Sequence, residues 1–552
     1  MLVNSIVFGA FFLIVLIPYF SILRKSSRWQ NLWVLAASYF FYGYADWRMV
    51  ALLVGATIVF YALGIATSSR SRAADAAFKG ADARSKGLTA VQEQQSCVQS
   101  SKFFAEQSGR AERKVQSSKF LMVVGVVLGA GLLLYFKYMN FFMEQFAALF
   151  GLMGLHTNWS TFNIIVPIGI SFFTFKLIAY VVEVYKGNLE PCKDFVTFAA
   201  YIAFFPTIMS GPIDSPKMFI PQLEKPRWWN NEMVLEGLKR VLWGMFLKMC
   251  IADKISPYTD SVFNNYYHHS GITIILASVL YTFQIYTDFC GYSEMAIGVS
   301  RVMGIKVTEN FLRPYFVTNV GDFWRRWHMS LMNWFRDYIY FPLGGSRCSK
   351  TRMYWNTMVV FMVSGLWHGA NWTFIIWGAY HGALVCIYKA AKATFKRPGG
   401  RSRAAELRSR AKACSKIKSA GACSSGLSAV QKQQSCVQSS TKLIFKKYGS
   451  ILFVFVLVTI GWMVFRCNTF QQFFGMLGRF TAPGGLFFSW ALTAVLPIGI
   501  MLFKEIKDEE GWNIHLLHSK NLYVQAVSIA LLIVYIFYTG ELNGAQFIYF
   551  QF

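Results

Sequence analysis

Charged residues are scarce in this 552-residue chain, in which Asp, Glu, Lys and Arg together make up only 15%. An ordinary soluble domain has roughly 25% charged residues. Hydrophobic residues make up 55% of the chain and aromatic residues 17%. A soluble fold of this size could not bury that much apolar surface. The composition therefore excludes an ordinary soluble globular protein and predicts a polytopic membrane protein.

Cysteine pairs and metal-binding spacings are also lacking. The ten cysteines stand singly, with no Cys-x-x-Cys and no zinc-type Cys/His spacing. His515 and His518 have an i, i+3 spacing that a metal can use, but no third ligand accompanies them. We therefore expect no disulfide framework, no metal and no bound cofactor.

Acidic residues are few, and the net charge is +27. Two polar stretches carry much of it: residues 68–119 hold ten Lys/Arg and five Asp/Glu, and residues 389–448 hold fifteen Lys/Arg and Glu406 alone. Basic loops are retained in the cytoplasm and attract anionic lipid, so this charge does not indicate nucleic-acid binding. We predict that both inserts are cytoplasmic. Because Arg24 and Lys25 follow the first apolar run, the N-terminus is predicted outside.

The apolar runs are long enough to span a bilayer and predict about a dozen helical elements. The predicted fold class is an all-α polytopic membrane protein in which several helices are broken. Breaks are expected at Pro167 with Gly169, near Pro206, and at Gly365 with Gly369, because irregular backbone at membrane depth is tolerated where it lines a cavity. The predicted divisions are N-terminal membrane helices (1–67), a polar insert (68–119), a catalytic membrane core (120–388), a basic insert (389–448) and C-terminal membrane helices (449–552).

The two inserts share a repeat of fifteen residues. Gly87–Ser101 and Gly426–Ser440 differ only at Thr89/Ser428 and Glu93/Lys432. Two distant copies do not make a stacked repeat fold. We interpret them as an inserted element tolerated in exposed loops, and a duplicated docking peptide is the alternative.

His368 lies in the apolar stretch Ser364–Trp372. An ionisable residue at membrane depth costs free energy unless it faces protein or water, so it is by default a functional candidate. Histidine is suited to act as a general base, for example on a hydroxyl that attacks a carbonyl group, and the oxyanion formed in such a reaction needs a hydrogen-bond donor. His368 is the candidate base. Asn371, the Trp367 indole N–H and the backbone at Gly365 and Gly369 are candidate donors. The alternative is a histidine that only hydrogen-bonds between helices.

Forty residues earlier, His328 stands in an aromatic and basic stretch suited to the membrane interface. Arg325 and Arg326 are candidates to bind phosphate groups or lipid headgroups. His381 is thirteen residues beyond His368, about 20 Å along a continuous helix, so we expect it outside the site. Asp288 and Glu294 are expected to be caps or ion-pair partners of Arg301 or Arg313.

Several motifs occur together and in order. They are Gln284–Gly298, Asp322–Ser330, Arg336–Gly345, Ser364–Ala370 and Phe547–Phe552. In these motifs the chain resembles the membrane-bound O-acyltransferases, in particular the bacterial alginate O-acetylation branch. The resemblance implies a multi-pass protein of the bacterial inner membrane whose helices surround a central funnel or tunnel. It also implies that His368 and His328 are the two functional histidines.

The resemblance also implies a substrate and partners. The donor is expected to be acetyl-CoA or an acyl-carrier thioester from the cytoplasm, which makes an acyl carrier protein a candidate partner. Arg325 and Arg326 are then candidates to bind the phosphates of coenzyme A or of the acyl-carrier phosphopantetheine. The acetyl group is expected to pass to an exported polysaccharide or to a periplasmic acetyltransferase, and membrane lipid is the surrounding partner. Three alternatives stay open: an acyl-relay subunit, a D-alanyl-type transferase and a transporter without enzymatic activity.

Overall fold

A computed structural model describes residues 1, 3–85, 116–155, 164–394, 427–487, 489–514, 516–541 and 547. For 69–85 and 427–444 the description covers the backbone. Within these ranges the chain is built from helices and contains no β-strand. The predicted all-α class is confirmed.

The first helices of the chain include a 37-residue helix with a π-helical turn at Leu134–Tyr138. In chain order they are α1 (Ile6–Phe20), α2 (Ser27–Gly43), α3 (Trp47–Ser85), α4 (Gln116–Leu152), α5 (Ile170–Tyr185), α6 (Phe195–Ala203), α7 (Phe205–Ile208) and α8 (Pro216–Leu223).

The remaining helices begin with α9, which runs through Asn231–Met245, a π-helical stretch Phe246–Ala252 and Asp253–Asn264. After it come α10 (Gly271–Val302), α11 (Val320–Arg326), α12 (Met329–Phe335), α13 (Lys350–His368), α14 (Trp372–Thr394), α15 (Leu427–Arg466), α16 (Phe470–Gly478), α17 (Val495–Glu510) and α18 (Leu522–Thr539).

Six helices of the described part are long and apolar enough to cross a bilayer. These spans are Trp47–Ser68, Gln116–Leu152, Gly271–Val302, Trp372–Thr394, Phe445–Arg466 and Leu522–Thr539. Helix α3 continues beyond its span to Ser85, and α15 begins at Leu427. Both helices therefore reach into the predicted inserts. The first copy of the repeat lies outside the described residues.

The central helix α10 is buried over most of its length and packs along α9. Glycines seven residues apart on each helix set this packing. A Cβ on Gly291 would lie 2.7 Å from the carbonyl oxygen of Gly244, and a Cβ on Gly298 2.5 Å from that of Gly237. Small residues let membrane helices approach backbone to backbone, so these four glycines fix α9 directly against the core.

Two of the three predicted breaks are confirmed, and the third is confirmed at Gly369 but not at Gly365. Gly169 has φ of 75° directly before α5, a left-handed conformation that favours glycine. The chain breaks again at Phe204, between α6 and α7. Gly365, however, does not interrupt its helix, which continues to His368 and ends at Gly369. A Cβ on Gly365 would lie 2.2 Å from the carbonyl oxygen of Phe374, so this glycine serves close packing of α13 on α14.

Candidate active site

The helical hairpin of α13 and α14 carries the first histidine. His368 is the last residue of α13, Gly369 is extended, and α14 starts at Trp372. Asn371 stabilises the turn: its Oδ1 accepts from the backbone N–H of Thr373 (3.0 Å), and its Nδ2 donates to the carbonyl of Asn468 (3.0 Å). The amide predicted as an oxyanion donor is therefore engaged with the backbone.

The imidazole of His368 is only 4% exposed and is enclosed by aromatic rings. Its centroid lies 4.9 Å from that of Trp367, 5.0 Å from that of Trp377 and 5.2 Å from that of Phe465. These edge-on contacts fix the orientation of the ring. His368 and Trp367 also line a cavity of about 100 Å³ that is bounded by the segment preceding and starting α5.

His328 reaches the same tryptophan from another segment of the chain. Its ring centroid lies 6.0 Å from Trp367 and 4.5 Å from Phe289. It is 1% exposed, and no other residue in the described part of the chain hydrogen-bonds to its imidazole nitrogens. The structure thus brings the two predicted histidines together around Trp367.

A buried polar network holds the backbone at His328, whose φ is 44°. Asn310 accepts from the Ser330 hydroxyl (2.7 Å) and donates to the Ser293 hydroxyl (3.1 Å), while the Ser330 hydroxyl accepts from the backbone N–H of Ile213 (3.0 Å). A left-handed conformation at a residue other than glycine costs about 1–3 kcal/mol and persists only where the surroundings enforce it, commonly at functional sites.

Lys137 is a residue of this site that sequence reasoning missed. Its Nζ donates to the backbone carbonyls of Trp367 (2.8 Å) and His368 (3.0 Å), and it lines the cavity beside His368. The sequence does contain a signal for this residue, since Lys137 is the one charged residue in the apolar stretch 120–143. An ionisable residue within a membrane helix is a functional candidate.

The two predicted phosphate-binding arginines differ in their surroundings. Arg326 forms two hydrogen bonds to the carboxylate of Glu509, at 3.0 and 3.1 Å. Arg325 is 76% exposed and pairs with Asp322 one turn earlier, at 2.6 Å. Arg326 therefore joins α11 to α17, and Arg325 is the one open to solvent.

The prediction for His381 assumed that one continuous helix carries both His368 and His381, and this assumption is wrong. The helix is not continuous: it reverses direction after His368, so α14 packs back along α13. Trp377 contacts both histidines, with ring centroids 5.0 Å from His368 and 5.1 Å from His381. His381 is fully buried behind Trp377 and next to Trp324, so it packs behind the site.

Asp288 and Glu294 form ion pairs, as expected, but their predicted partners are wrong. Asp288 pairs with Lys248 (2.7 Å), which also pairs with Asp253 (2.7 Å). Glu294 pairs with Arg240 (3.3 Å). The predicted partner Arg313 instead pairs with Glu509. Asp288 and Glu294 therefore connect α10 to α9.

Two larger cavities lie near the histidines. One, of about 480 Å³, is bounded by Met329, the residue after His328, and by many charged side chains. The other is an apolar cavity of about 650 Å³ in which Trp367 and Trp334 are part of the lining. The paired histidines thus lie among a small, a charged and an apolar cavity.

Comparison with known proteins decides the family. The model of the membrane-bound O-acyltransferase family matches residues 192–405, which include both histidines. A probable alginate O-acetylase of Azotobacter vinelandii is 34% identical over 69% of this chain and 68% of its own length. This chain belongs to the membrane-bound O-acyltransferase family. It is therefore a multi-pass membrane enzyme that transfers acyl groups to oxygen.

Other members of the family are similar over smaller shares. A peptidoglycan O-acetyltransferase of Helicobacter pylori is 30% identical over 66% of this chain and 66% of its own length. A teichoic acid D-alanyltransferase of Bacillus subtilis is 35% identical over 41% of this chain and 60% of its own length. In these two cases the chain spans less than two thirds of the relative.

Proposed function

We propose that this membrane-bound O-acyltransferase moves an acetyl group from a cytoplasmic thioester to a hydroxyl group of an exported polysaccharide. The observation that carries the proposal is the pairing of His328 and His368 at Trp367. His368 lines the small cavity, and Met329, next to His328, lines the charged one. In this proposal the small cavity receives the acceptor and the charged cavity receives the donor, so that each substrate lies close to one histidine.

The reaction assigns a role to each histidine. His368 takes the proton of the acceptor hydroxyl as its oxygen attacks the thioester carbonyl, a step worth about 10²–10⁴-fold in rate. The aromatic rings around His368 exclude water, which limits hydrolysis of the thioester. His328 acts on the donor side and positions the thioester.

The charged cavity suits the polar part of the donor. Lys239, Arg240, Arg301, Arg313 and Lys504 line it, together with an equal number of carboxylates. Phosphates of coenzyme A or of a carrier-bound phosphopantetheine can displace such carboxylates from the arginines. Of the two predicted arginines, Arg326 is held by Glu509, whereas Arg325 is exposed and pairs with Asp322 of its own helix, so Arg325 is the more accessible to a phosphate or a lipid headgroup. For a cytoplasmic donor to reach the charged cavity, the protein must lie in the inner membrane. In this proposal both basic inserts are on the cytoplasmic side.

Acetyl rather than D-alanyl transfer is favoured by the extent of similarity. The probable alginate O-acetylase matches 69% of the chain and the teichoic acid D-alanyltransferase 41%, at nearly equal identity. Direct transfer to the polysaccharide and relay through a periplasmic acetyltransferase use the same histidines.

The test is acetyl transfer by the full chain in proteoliposomes. Labelled acetyl-CoA or acetylated carrier protein is supplied on one side, and label is measured on added polysaccharide and on the protein itself. We expect label on the polymer with wild type and almost none with His368→Gln. His268→Gln, which changes an exposed histidine, serves as the matched control. Equal labelling by His368→Gln would contradict the proposal, and label that stays on the protein would favour relay.

A further inference from the structure

Lys137 caps the end of the helix that carries His368, together with its neighbour Tyr138. The last carbonyls of a helix lack partners within the helix. Here Tyr138 donates its hydroxyl to the carbonyl of Leu366 (2.7 Å), and Lys137 Nζ donates to those of Trp367 (2.8 Å) and His368 (3.0 Å). Two neighbouring residues of α4 thus satisfy three successive carbonyls of α13.

The π-helical turn of α4 explains how neighbouring side chains can do this. Leu134–Tyr138 forms that turn, and Lys137 and Tyr138 stand at its end. Such turns widen a helix locally, change the direction of side chains and are frequent at functional sites. The wider turn allows both Lys137 and Tyr138 to reach α13.

Helix capping leaves part of the ammonium group unused. An ammonium group has three N–H donors, and the oxygens of Trp367 and His368 are the hydrogen-bond acceptors of Lys137 in the described part of the chain. Lys137 also lines the cavity of about 100 Å³ that His368 lines. Tyr138 does not line this cavity; it borders the apolar one. Lys137 alone of the pair therefore presents a donor beside the candidate base.

We propose that Lys137 binds the oxyanion formed during acyl transfer, an inference that rests on the proposed function. The acceptor hydroxyl oxygen forms a bond to the thioester carbonyl carbon while its proton passes to His368. The carbonyl oxygen then carries the negative charge and accepts a hydrogen bond from Lys137. When the intermediate collapses, the C–S bond breaks, and the sulfur leaves with the electron pair and takes the proton from His368. The products are the ester and the free thiol.

Electrostatics favours Lys137 over the donors named from the sequence. The Asn371 amide donates to the carbonyl of Asn468 and, unlike Lys137, does not line the small cavity. A protonated Lys137 ammonium in this buried site stabilises a developing anion more than a neutral donor does. The free-energy cost of burying this charge within a membrane helix is offset by the carbonyls of Trp367 and His368 and by the ring of Trp367, whose centroid lies 5.8 Å from Nζ.

The experiment compares Lys137→Met with Tyr138→Phe in the proteoliposome assay, with the melting temperature of each purified protein measured alongside. Tyr138→Phe removes one cap of α13 without altering the lining of the small cavity, so it reports the effect of capping alone. Loss of an oxyanion donor costs about 10²–10³-fold in kcat. We expect that loss for Lys137→Met with little change in KM for the donor, and a loss below about fivefold for Tyr138→Phe.

Lys137→Arg keeps the charge with a different shape and should restore part of kcat. The inference is overturned if Lys137→Met keeps kcat within about threefold of wild type. It is also overturned if Lys137→Met and Tyr138→Phe lose kcat and melting temperature in parallel, because Lys137 then acts only as a cap. His368→Gln is run beside them: full activity in that variant would remove the proposed function itself, whereas its loss combined with normal Lys137→Met activity would remove only the role of Lys137.

Discussion

The indole of Trp367 meets the imidazole of His328 edge-on, with ring centroids 6.0 Å apart and 76° between the planes. The same indole meets His368 at 4.9 Å and 75°. Trp367 therefore forms the contact between two chain segments that each contribute one histidine. Because an edge-on aromatic pair depends on orientation, displacement of either segment would separate the histidines.

His328 is expected to be required for transfer. His328→Asn removes the imidazole while keeping a side chain that tolerates φ of 44°. We expect at least a tenfold loss of acetyl transfer at unchanged melting temperature, because the donor thioester loses its positioning group. The measurement is initial rate against donor concentration, with His268→Asn as control. Wild-type kinetics in His328→Asn would refute a role for this histidine.

Gly365→Ala is expected to destabilise the protein. The new Cβ would lie 2.2 Å from the carbonyl oxygen of Phe374, so α13 and α14 must separate. Overpacking of this kind costs about 1–3 kcal/mol. The melting temperature in detergent should fall and acyl transfer should fall with it.

Gly55→Ala provides the matched control for Gly365→Ala. Gly55 also lies within a candidate span, but nothing is within 4 Å of a Cβ placed there. We expect Gly55→Ala to keep the wild-type melting temperature. If both substitutions behave alike, contact between α13 and α14 at Gly365 does not limit stability.

Arg326 and Glu509 are expected to stabilise the protein as a pair. The two hydrogen bonds between them join α11 to α17. In a double-mutant cycle of Arg326→Gln and Glu509→Gln, thermal or denaturant unfolding should give a coupling of about 0.5–3 kcal/mol. Additive single-substitution effects would mean that the pair contributes nothing.

The same pair predicts a pH dependence. Glu509 lies outside the six candidate spans. Burial by itself raises the pKa of its carboxyl, but the hydrogen bonds and charges of Arg326 and Arg313 outweigh burial and hold the pKa below its usual value. A carboxyl with a lowered pKa contributes stability above its unfolded pKa of about 4.3, and that contribution is lost as the pH falls through the folded pKa. The stability difference between wild type and Glu509→Gln should stay constant from about pH 5 to 8 and shrink below about pH 4.

The orientation predicted from the loop charges can be tested with cysteine labelling. Cys97 lies in the first insert and Cys436 in the second, and both inserts are predicted to be cytoplasmic. In variants that keep only Cys97 or only Cys436, a thiol reagent that cannot cross membranes should label inverted vesicles and not intact cells. Labelling of intact cells from outside would reverse the orientation.

Acyl transfer is expected to survive replacement of the inserts. The segments to replace with short Gly/Ser linkers are 75–114 and 400–440, because they contain both copies of the repeat. They include the end of α3, which reaches Ser85, and the start of α15 at Leu427. Some Lys and Arg must be kept so that orientation is not disturbed. Activity in membranes at matched protein level is measured. Loss of transfer despite normal insertion would favour the docking-peptide interpretation.

The sequence by itself determined the membrane setting and the all-α class, because hydropathy and helix length are local properties of a chain. It also supplied the family motifs that contain His328 and His368, and the breaks at Gly169 and near Pro206, since proline and glycine constrain the backbone wherever they stand. The roles of the two histidines stay predictions to be tested by substitution.

Only the tertiary structure decided which residues of different helices contact each other. Gly365 looked like a break, yet it is a packing contact, because the carbonyl of Phe374 on the next helix occupies the space of its missing side chain. His381 looked remote, yet the reversal after His368 packs it behind Trp377. Lys137 is 231 residues from His368 in the chain, and no local pattern encodes that pairing. Contacts between distant helices depend on how apolar surfaces are buried and backbone groups are hydrogen-bonded across the whole fold. The complete helix packing is therefore needed to bring His368, His328 and Lys137 together.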